Sequence, residues 1–75
     1  MTIPASVREI GTDAFCYCRK LKRVTFAEGS KLEKIGRFCF FGSGLEKIFI
    51  PRGVKELREG TFWDCKSLAE VAFEE

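Results

Sequence analysis

The four cysteines are the most reactive side chains in this sequence, because the chain contains no histidine. Without histidine, neither a Cys–His nor a Ser–His–Asp arrangement can form. A zinc site usually needs paired cysteines or histidines, and the chain offers one Cys-x-Cys, from Cys16 to Cys18, and no Cys-x-x-Cys. We therefore expect no catalytic site, no metal site and no cofactor, and we interpret the cysteines as free thiols that serve as small apolar side chains.

Two other short stretches have residue types that bind anions. Gly42-Ser43-Gly44 lacks the lysine and the following helix of a phosphate-binding loop, so it predicts a shortened turn. The basic stretch 19–23 contains Leu21 at an apolar position, and no repeated aromatic stacking motif lies beside it. Because the net charge of the whole chain is only +2, we predict no nucleic-acid partner.

A six-residue pattern of apolar positions occurs three times along the chain. Its copies are Leu21–Phe26, Leu45–Ile50 and Leu68–Phe73, each with apolar residues at the first, fourth and sixth places. The alternation at the end of each copy predicts a half-buried strand. The copies end 24 residues apart (26 to 50) and 23 residues apart (50 to 73), and Ile3 precedes Phe26 by 23 residues. A period of about 20 to 29 residues with a leucine-rich strand is typical of a leucine-rich-repeat solenoid.

The copies extend beyond the strand and resemble the BspA-type leucine-rich repeats of bacterial and protozoan surface proteins. The pattern of that family reads approximately I-P-x-x-V-x-x-I-G-x-x-A-F-x-x-C-x-x-L-x-x-V-x-I. The first copy, residues 3–26, follows it almost position for position. The second copy lacks the proline and has Cys39 for the alanine and Ser43 near the cysteine. The third copy departs mainly at Leu57-Arg58 and Thr61.

The resemblance implies an α/β solenoid, with a short parallel β-sheet on the concave face and short helical turns on the convex side. We expect a single leucine-rich-repeat domain over residues 1–75. Its three coils should cover approximately residues 3–26, 26–50 and 50–73. A helical turn of the first coil is expected around Ala14-Phe15. Stacking at about 4.8 Å per strand should place the rings of Phe15, Phe40 and Phe62 in one column in the core.

The repeat also predicts where the cysteines lie. Cys18 and Cys65 occupy the same place two coils apart, so about 10 Å should separate them, against a Cα limit of roughly 7 Å for a disulfide. We therefore expect no bond between them. Cys39 and Ala14 share a second place and should both point inward, whereas Cys16 follows a core phenylalanine and should face outward.

The outward side chains of the three strands form the candidate binding site. In each copy, the third and fifth residues of the pattern must point away from the core. These outward positions hold Arg23, Thr25, Lys47, Phe49, Glu70 and Ala72. Because solenoids commonly bind through such a concave row, we predict a protein-binding site that consists of Arg23, Thr25, Lys47, Phe49 and Glu70. Phe49 is the expected apolar anchor, and the alternative is a surface phenylalanine without a role.

A second set of aromatic residues falls on the convex side. Phe41 and Trp63 each follow a core phenylalanine, at the place that Cys16 occupies in the first coil, and Tyr17 and Phe38 lie nearby. We expect these side chains to cover the convex side and to pack partly on the next coil. If these side chains are fully exposed instead, they form an apolar patch of the kind that marks an interaction site.

Two functions are consistent with this sequence. The family resemblance implies a protein-recognition module at the cell surface or secreted, which binds host or matrix proteins or other cells. The alternative is a structural solenoid that stacks end to end as a homo-oligomer, since neither end carries a polar cap. Residues 1–25 hold five basic and two acidic groups, whereas residues 50–75 hold four and six, which favours head-to-tail contact. No apolar run approaches the roughly 20 residues of a membrane span, and the N-terminus shows no signal-peptide pattern.

Overall fold

Seven short strands and the turns between them make up the fold, which a computed structural model describes over residues 1–75. The strands are β1 (Thr2–Ile3), β2 (Glu9–Ile10), β3 (Arg23–Phe26), β4 (Lys34–Ile35), β5 (Lys47–Ile50), β6 (Glu56–Leu57) and β7 (Glu70–Phe73). Alternate strands pair in parallel, which gives one sheet in the order β1-β3-β5-β7 and a second in the order β2-β4-β6. The chain is therefore a parallel β-solenoid of about three coils, as the repeat predicts.

The middle coil carries most of the hydrophobic core. Leu32, Ile35, Phe40, Leu45 and Ile50 are completely inaccessible to solvent. Several equivalent side chains in the first and last coils are only partly buried, because each end coil has a neighbour on one side only. One coil of this size cannot close a core by itself, so the stacking of neighbours provides most of the burial.

The predicted column of phenylalanine rings is confirmed. The ring centroids of Phe15 and Phe40 lie 5.4 Å apart and those of Phe40 and Phe62 lie 5.9 Å apart, with the planes within 10° of parallel. Ala14, which the repeat predicts to face the interior, is instead exposed, whereas Cys39 at the same place in the second coil is buried. The difference arises because the first coil is open on one side.

The helical turns expected on the convex side are absent, so that prediction is wrong. In an α-helix every backbone N–H donates to the carbonyl four residues earlier. Here the amides alternate: Cys16 donates back to the carbonyl of Asp13 at 3.1 Å, whereas Phe15 donates to Cys39 of the next coil at 2.8 Å. Because every second amide bonds to the neighbouring coil, no helix can propagate. The chain accordingly has no helix long and apolar enough to cross a membrane.

The backbone is left-handed at two repeated places in these convex segments. Each place has a positive φ in every coil. The first is held by Asp13, Phe38 and Gly60 (φ 60°, 53° and 71°) and the second by Tyr17, Gly42 and Asp64 (φ 59°, 65° and 57°). At Gly42 the requirement is also steric, because a Cβ atom there would lie 2.7 Å from the ring of Tyr17. Glycine therefore lets the Tyr17 ring lie directly on the backbone of the next coil.

Candidate binding surface

The outward side chains of β3, β5 and β7 lie together on one face of the larger sheet, which we call the strand face. Val24 and Ile48 point into the core and are nearly inaccessible to solvent. The residues on either side of them point outward, as the two-residue period of a strand requires. All five residues predicted from the sequence line one shallow depression of about 300 Å³ on this face; they are Arg23, Thr25, Lys47, Phe49 and Glu70. Their role in binding stays a prediction.

Phe49 is the most exposed large apolar side chain of the strand face, with 62% of its surface accessible to solvent. It pairs in register with Ala72 of β7, whose small side chain leaves one side of the ring open. On the opposite side, the hydroxyl of Thr25 lies 2.9 Å from the hydroxyl of Thr2 and is therefore engaged within the chain. The Phe49 ring is thus more open to solvent, whereas the Thr25 hydroxyl already has a partner within the chain.

A second depression, which sequence reasoning missed, borders the first and also involves Phe49. It measures about 210 Å³ and includes the loop 27–30 that follows β3. This loop lies within the stretch where the second copy is longer than the others. Since the extra residues come directly after β3, they must lie at the rim of the strand face. The position of the insertion in the repeat is the signal that could have predicted this second depression.

Opposite charges face each other across the junctions between coils. Four cross-coil ion pairs have N–O distances of 3.5 to 3.9 Å: Arg8–Glu33, Lys34–Glu9, Lys22–Glu46 and Arg52–Glu74. All eight side chains are substantially exposed to solvent. Each pair therefore stabilises the fold by about 1 kcal/mol or less. Neither Arg23 nor Lys47 takes part in any ion pair of the chain.

The convex aromatic residues pack across the coils, as expected from the sequence. Ring centroids of Tyr17 and Phe41 lie 5.3 Å apart, those of Phe41 and Phe38 lie 5.7 Å apart, and those of Phe38 and Trp63 lie 5.8 Å apart. Phe38 and Phe41 are half-buried, whereas Tyr17 and Trp63 at the two ends are 56% exposed. The guanidinium of Arg19 lies 5.6 Å from the centroid of the Tyr17 ring. This convex cluster therefore ties the three coils together.

The environments of Cys39 and Cys16 favour the protonated form of their thiols. Cys39 is completely inaccessible to solvent, and burial raises the pKa of its thiol to about 12. Burial and the nearby Asp13 carboxylate also raise the pKa of Cys16. The thiol of Cys65 donates to the carbonyl of Phe40 at 2.9 Å. Since the thiolate is the reactive form, Cys39 and Cys16 are poor nucleophiles near neutral pH.

Disulfides and clusters of metal ligands are absent from the structure. All four cysteines are free. No group of three or more His, Cys, Asp or Glu side chains is placed to hold a metal ion. The strand face instead combines an aromatic ring, two cations and a carboxylate over an apolar base, which is a composition suited to contact with another protein.

Comparisons with known proteins agree with this architecture. No curated protein matches the sequence. A crystal structure described as that of the pneumococcal vaccine antigen PcpA resembles the chain with a TM-score of 0.87 and 29% sequence identity over 99% of the chain. The chain spans only 18% of the length of that antigen. A family model described as "BspA type Leucine rich repeat region (6 copies)" matches residues 1–75. The chain therefore belongs to the family of BspA-type leucine-rich repeats.

Proposed function

We propose that the chain is a non-enzymatic protein-recognition module and that its strand face binds the partner. The observation that carries this proposal is Phe49, a large apolar side chain that is 62% exposed within a depression lined by charged groups. When another molecule covers an exposed aromatic ring, apolar surface is removed from water, and this contribution to the free energy of binding is favourable. Full burial of a phenylalanine side chain is favourable by about 1.5 to 3 kcal/mol.

The rigidity of the strand face supports the same proposal. The residues that carry the outward side chains lie in strands whose neighbouring positions are packed in the core, so little backbone conformational entropy is lost on binding. Interfaces concentrate their binding energy in a few aromatic and arginine residues, surrounded by contacts that exclude water. Phe49 and Arg23 are the matching residues on this face.

The similarity to PcpA, whose structure is described as that of a vaccine antigen, supports a place outside the cell. We propose that the chain acts at the cell surface or as part of a secreted protein, in adhesion to host or matrix proteins or to other cells. The family of BspA-type repeats is consistent with this role. The chain would supply one binding surface in a longer array.

The test of this proposal is a selection of peptides displayed on phage against the immobilised chain. The selected peptides are then measured against two single variants, Phe49→Ala on the strand face and Tyr17→Ala on the convex side. Both variants remove a ring from an exposed position, so they are matched controls for each other. We expect Phe49→Ala to weaken binding at least tenfold and Tyr17→Ala to leave it unchanged. Peptides that bind Phe49→Ala as tightly as the parent chain would contradict the proposal.

A second candidate function is end-to-end self-association, and the open edges of the solenoid favour it. The last coil leaves Leu57 and Phe73 exposed by 39% and 58%, and β7 has a partner strand on one side only. A head-to-tail neighbour would extend the ring column by placing Phe62 against Phe15 of the next copy. An interface of this kind does not close on itself and runs on as a fibre unless its rotation forms a ring.

The strand count limits such stacking, and for this reason we rank it second. One sheet has four strands and the other three, so two intact copies cannot continue both sheets at the common spacing of about 4.8 Å. One strand would therefore have to detach from its sheet at each junction. We expect this strand to be the two-residue β1. The last coil would then set Glu56 beside Glu9 of the next copy, because both occupy the same register position. Two like charges at that position oppose association.

A further inference from the structure

The strand face holds an unfavourable pair of charges that the rest of the fold avoids. Four charged pairs lie directly opposite each other in the strand registers. Three of them are opposite in sign: Glu9–Lys34, Lys34–Glu56 and Lys47–Glu70. The fourth pair, Arg23 with Lys47, brings two cations together. Like charges at directly opposite positions destabilise a sheet.

Neither cation of this pair forms an ion pair, although Glu70 lies opposite Lys47 in the register of the next strand. Neither side chain has a carboxylate within ion-pair distance, although six other ion pairs form elsewhere. Lys22, which precedes Arg23, does pair with Glu46 across the same two coils at 3.9 Å. Arg23 thus lies beside another cation with no carboxylate within ion-pair distance of either side chain. A ligand that places a carboxylate between them would be attracted to both cations.

The cation pair lies beside the apolar anchor. Phe49 follows Lys47 by two residues on the same strand and the same face, which corresponds to about 7 Å along the strand. All three side chains line the same depression of about 300 Å³. The space is large enough for a few side chains, and its lining places two cations at one end and an apolar ring next to them.

We propose that the partner of the strand face is an acidic protein segment, in which a carboxylate contacts Arg23 and Lys47 and a neighbouring apolar side chain covers Phe49. This inference rests on the proposed function, since it names the chemistry of the partner at the same site. The carboxylate of Glu70 in the last strand argues for a protein segment over a polyanion. A sulfated polysaccharide carries negative charges along its whole length. Some of these charges would lie against the Glu70 carboxylate and against the exposed Phe49 ring, where they gain no favourable contact.

The experiment uses the composition of the peptides selected on the parent chain. We expect them to be enriched in Asp or Glu within two positions of a large apolar residue. One such peptide should then bind Arg23→Glu at least tenfold more weakly than the parent chain, and its affinity should fall as salt is raised. Arg37→Glu is the matched control, because it makes the same charge change at an exposed residue that lines no part of the depression. This control should bind normally.

Folding of the test variant is checked by a readout that binding does not affect. Arg23→Glu places an acidic group opposite Lys47 and removes the repulsion between the two cations. We therefore expect its thermal unfolding midpoint to equal or exceed that of the parent chain. Loss of binding together with an unchanged or raised midpoint supports the inference, whereas unchanged binding to a folded Arg23→Glu variant overturns it.

The outcomes also separate this inference from the proposed function. Selected peptides that need Phe49 but carry no excess of carboxylates overturn the acidic partner and leave protein recognition in place. Peptides that bind independently of Phe49 overturn both. Heparin serves as the polyanion probe: binding of heparin that is lost in Arg23→Glu, without any selected acidic peptide, overturns the protein segment as the ligand.

Discussion

At the residue scale, the buried thiol of Cys39 shows how the fold controls chemistry. This side chain lies in the core of the middle coil, and burial raises its pKa from 9.0 to about 12. Between these two pKa values, the Cys39 thiol is protonated in the folded chain and deprotonated in the unfolded chain. By linkage, the contribution of Cys39 to stability is complete below pH 9 and is lost as the pH rises towards 12.

We predict that the free energy of unfolding of the parent chain falls between pH 8.5 and pH 10.5 more steeply than that of Cys39→Ala. The extra slope should be at most about 1.4 kcal/mol per pH unit, the limit for one proton. The measurement is urea unfolding at several pH values under reducing conditions. Contributions that the two proteins share cancel in the comparison. Equal slopes would show that Cys39 is not protected.

At the element scale, the convex turns depend on glycine at one critical contact. Gly42 has a φ of 65°, and the Tyr17 ring lies over it. We predict that Gly42→Ala destabilises the fold by about 1 to 3 kcal/mol, because alanine is strained at this φ and its methyl group meets the ring. The measurement is chemical denaturation. The double variant Gly42→Ala with Tyr17→Ala should be less than additive, since the second change removes the clash. Full additivity would exclude the contact as the cause.

The same convex segments show why the sequence predicted the strands correctly and the helices wrongly. Strand positions repeat their chemistry in every copy, as the buried Val24 and Ile48 do. The left-handed positions do not, because Gly42 and Gly60 appear in single copies whereas other coils place Asp13 or Tyr17 there. Because no glycine is repeated at these places in every copy, the left-handed backbone conformation could not be predicted from the sequence. The helical interpretation followed from the family resemblance, which placed a helical turn around Ala14-Phe15, and it could not detect that alternate amides bond to the next coil.

At the scale of the whole molecule, the two ends decide whether the chain acts alone. We predict that the 75-residue chain scatters light as a monomer of 8.5 kDa over a wide concentration range at low and high salt. The physical reason is that head-to-tail stacking requires the loss of β1 and sets like charges together. A mass that rises with concentration would instead favour the second candidate. If the mass of such an assembly falls when salt is raised, attraction between the basic first coil and the acidic last coil is the cause of the association.

The candidate site could be predicted from the sequence only in part. The period-two pattern assigned Arg23, Lys47 and Phe49 to the outward face, because strand geometry leaves no other choice. The pairing of the two cations follows from the same pattern, since Arg23 and Lys47 both occupy the third place of their copies. The pattern did not show that neither cation forms an ion pair, because such contacts depend on the folded side chains. Sequence reasoning also missed the second depression beside Phe49, although the insertion after β3 was a signal for it.

The measurement that tests the central claim most directly is a map of the binding surface by nuclear magnetic resonance. Chemical shifts of the backbone amides are followed while a selected peptide is titrated into the isotope-labelled chain. We predict that the largest changes fall in β3, β5 and β7 and in the loop 27–30 at their rim. Changes confined to the convex cluster around Tyr17, Phe41 and Trp63 would contradict recognition through the strand face.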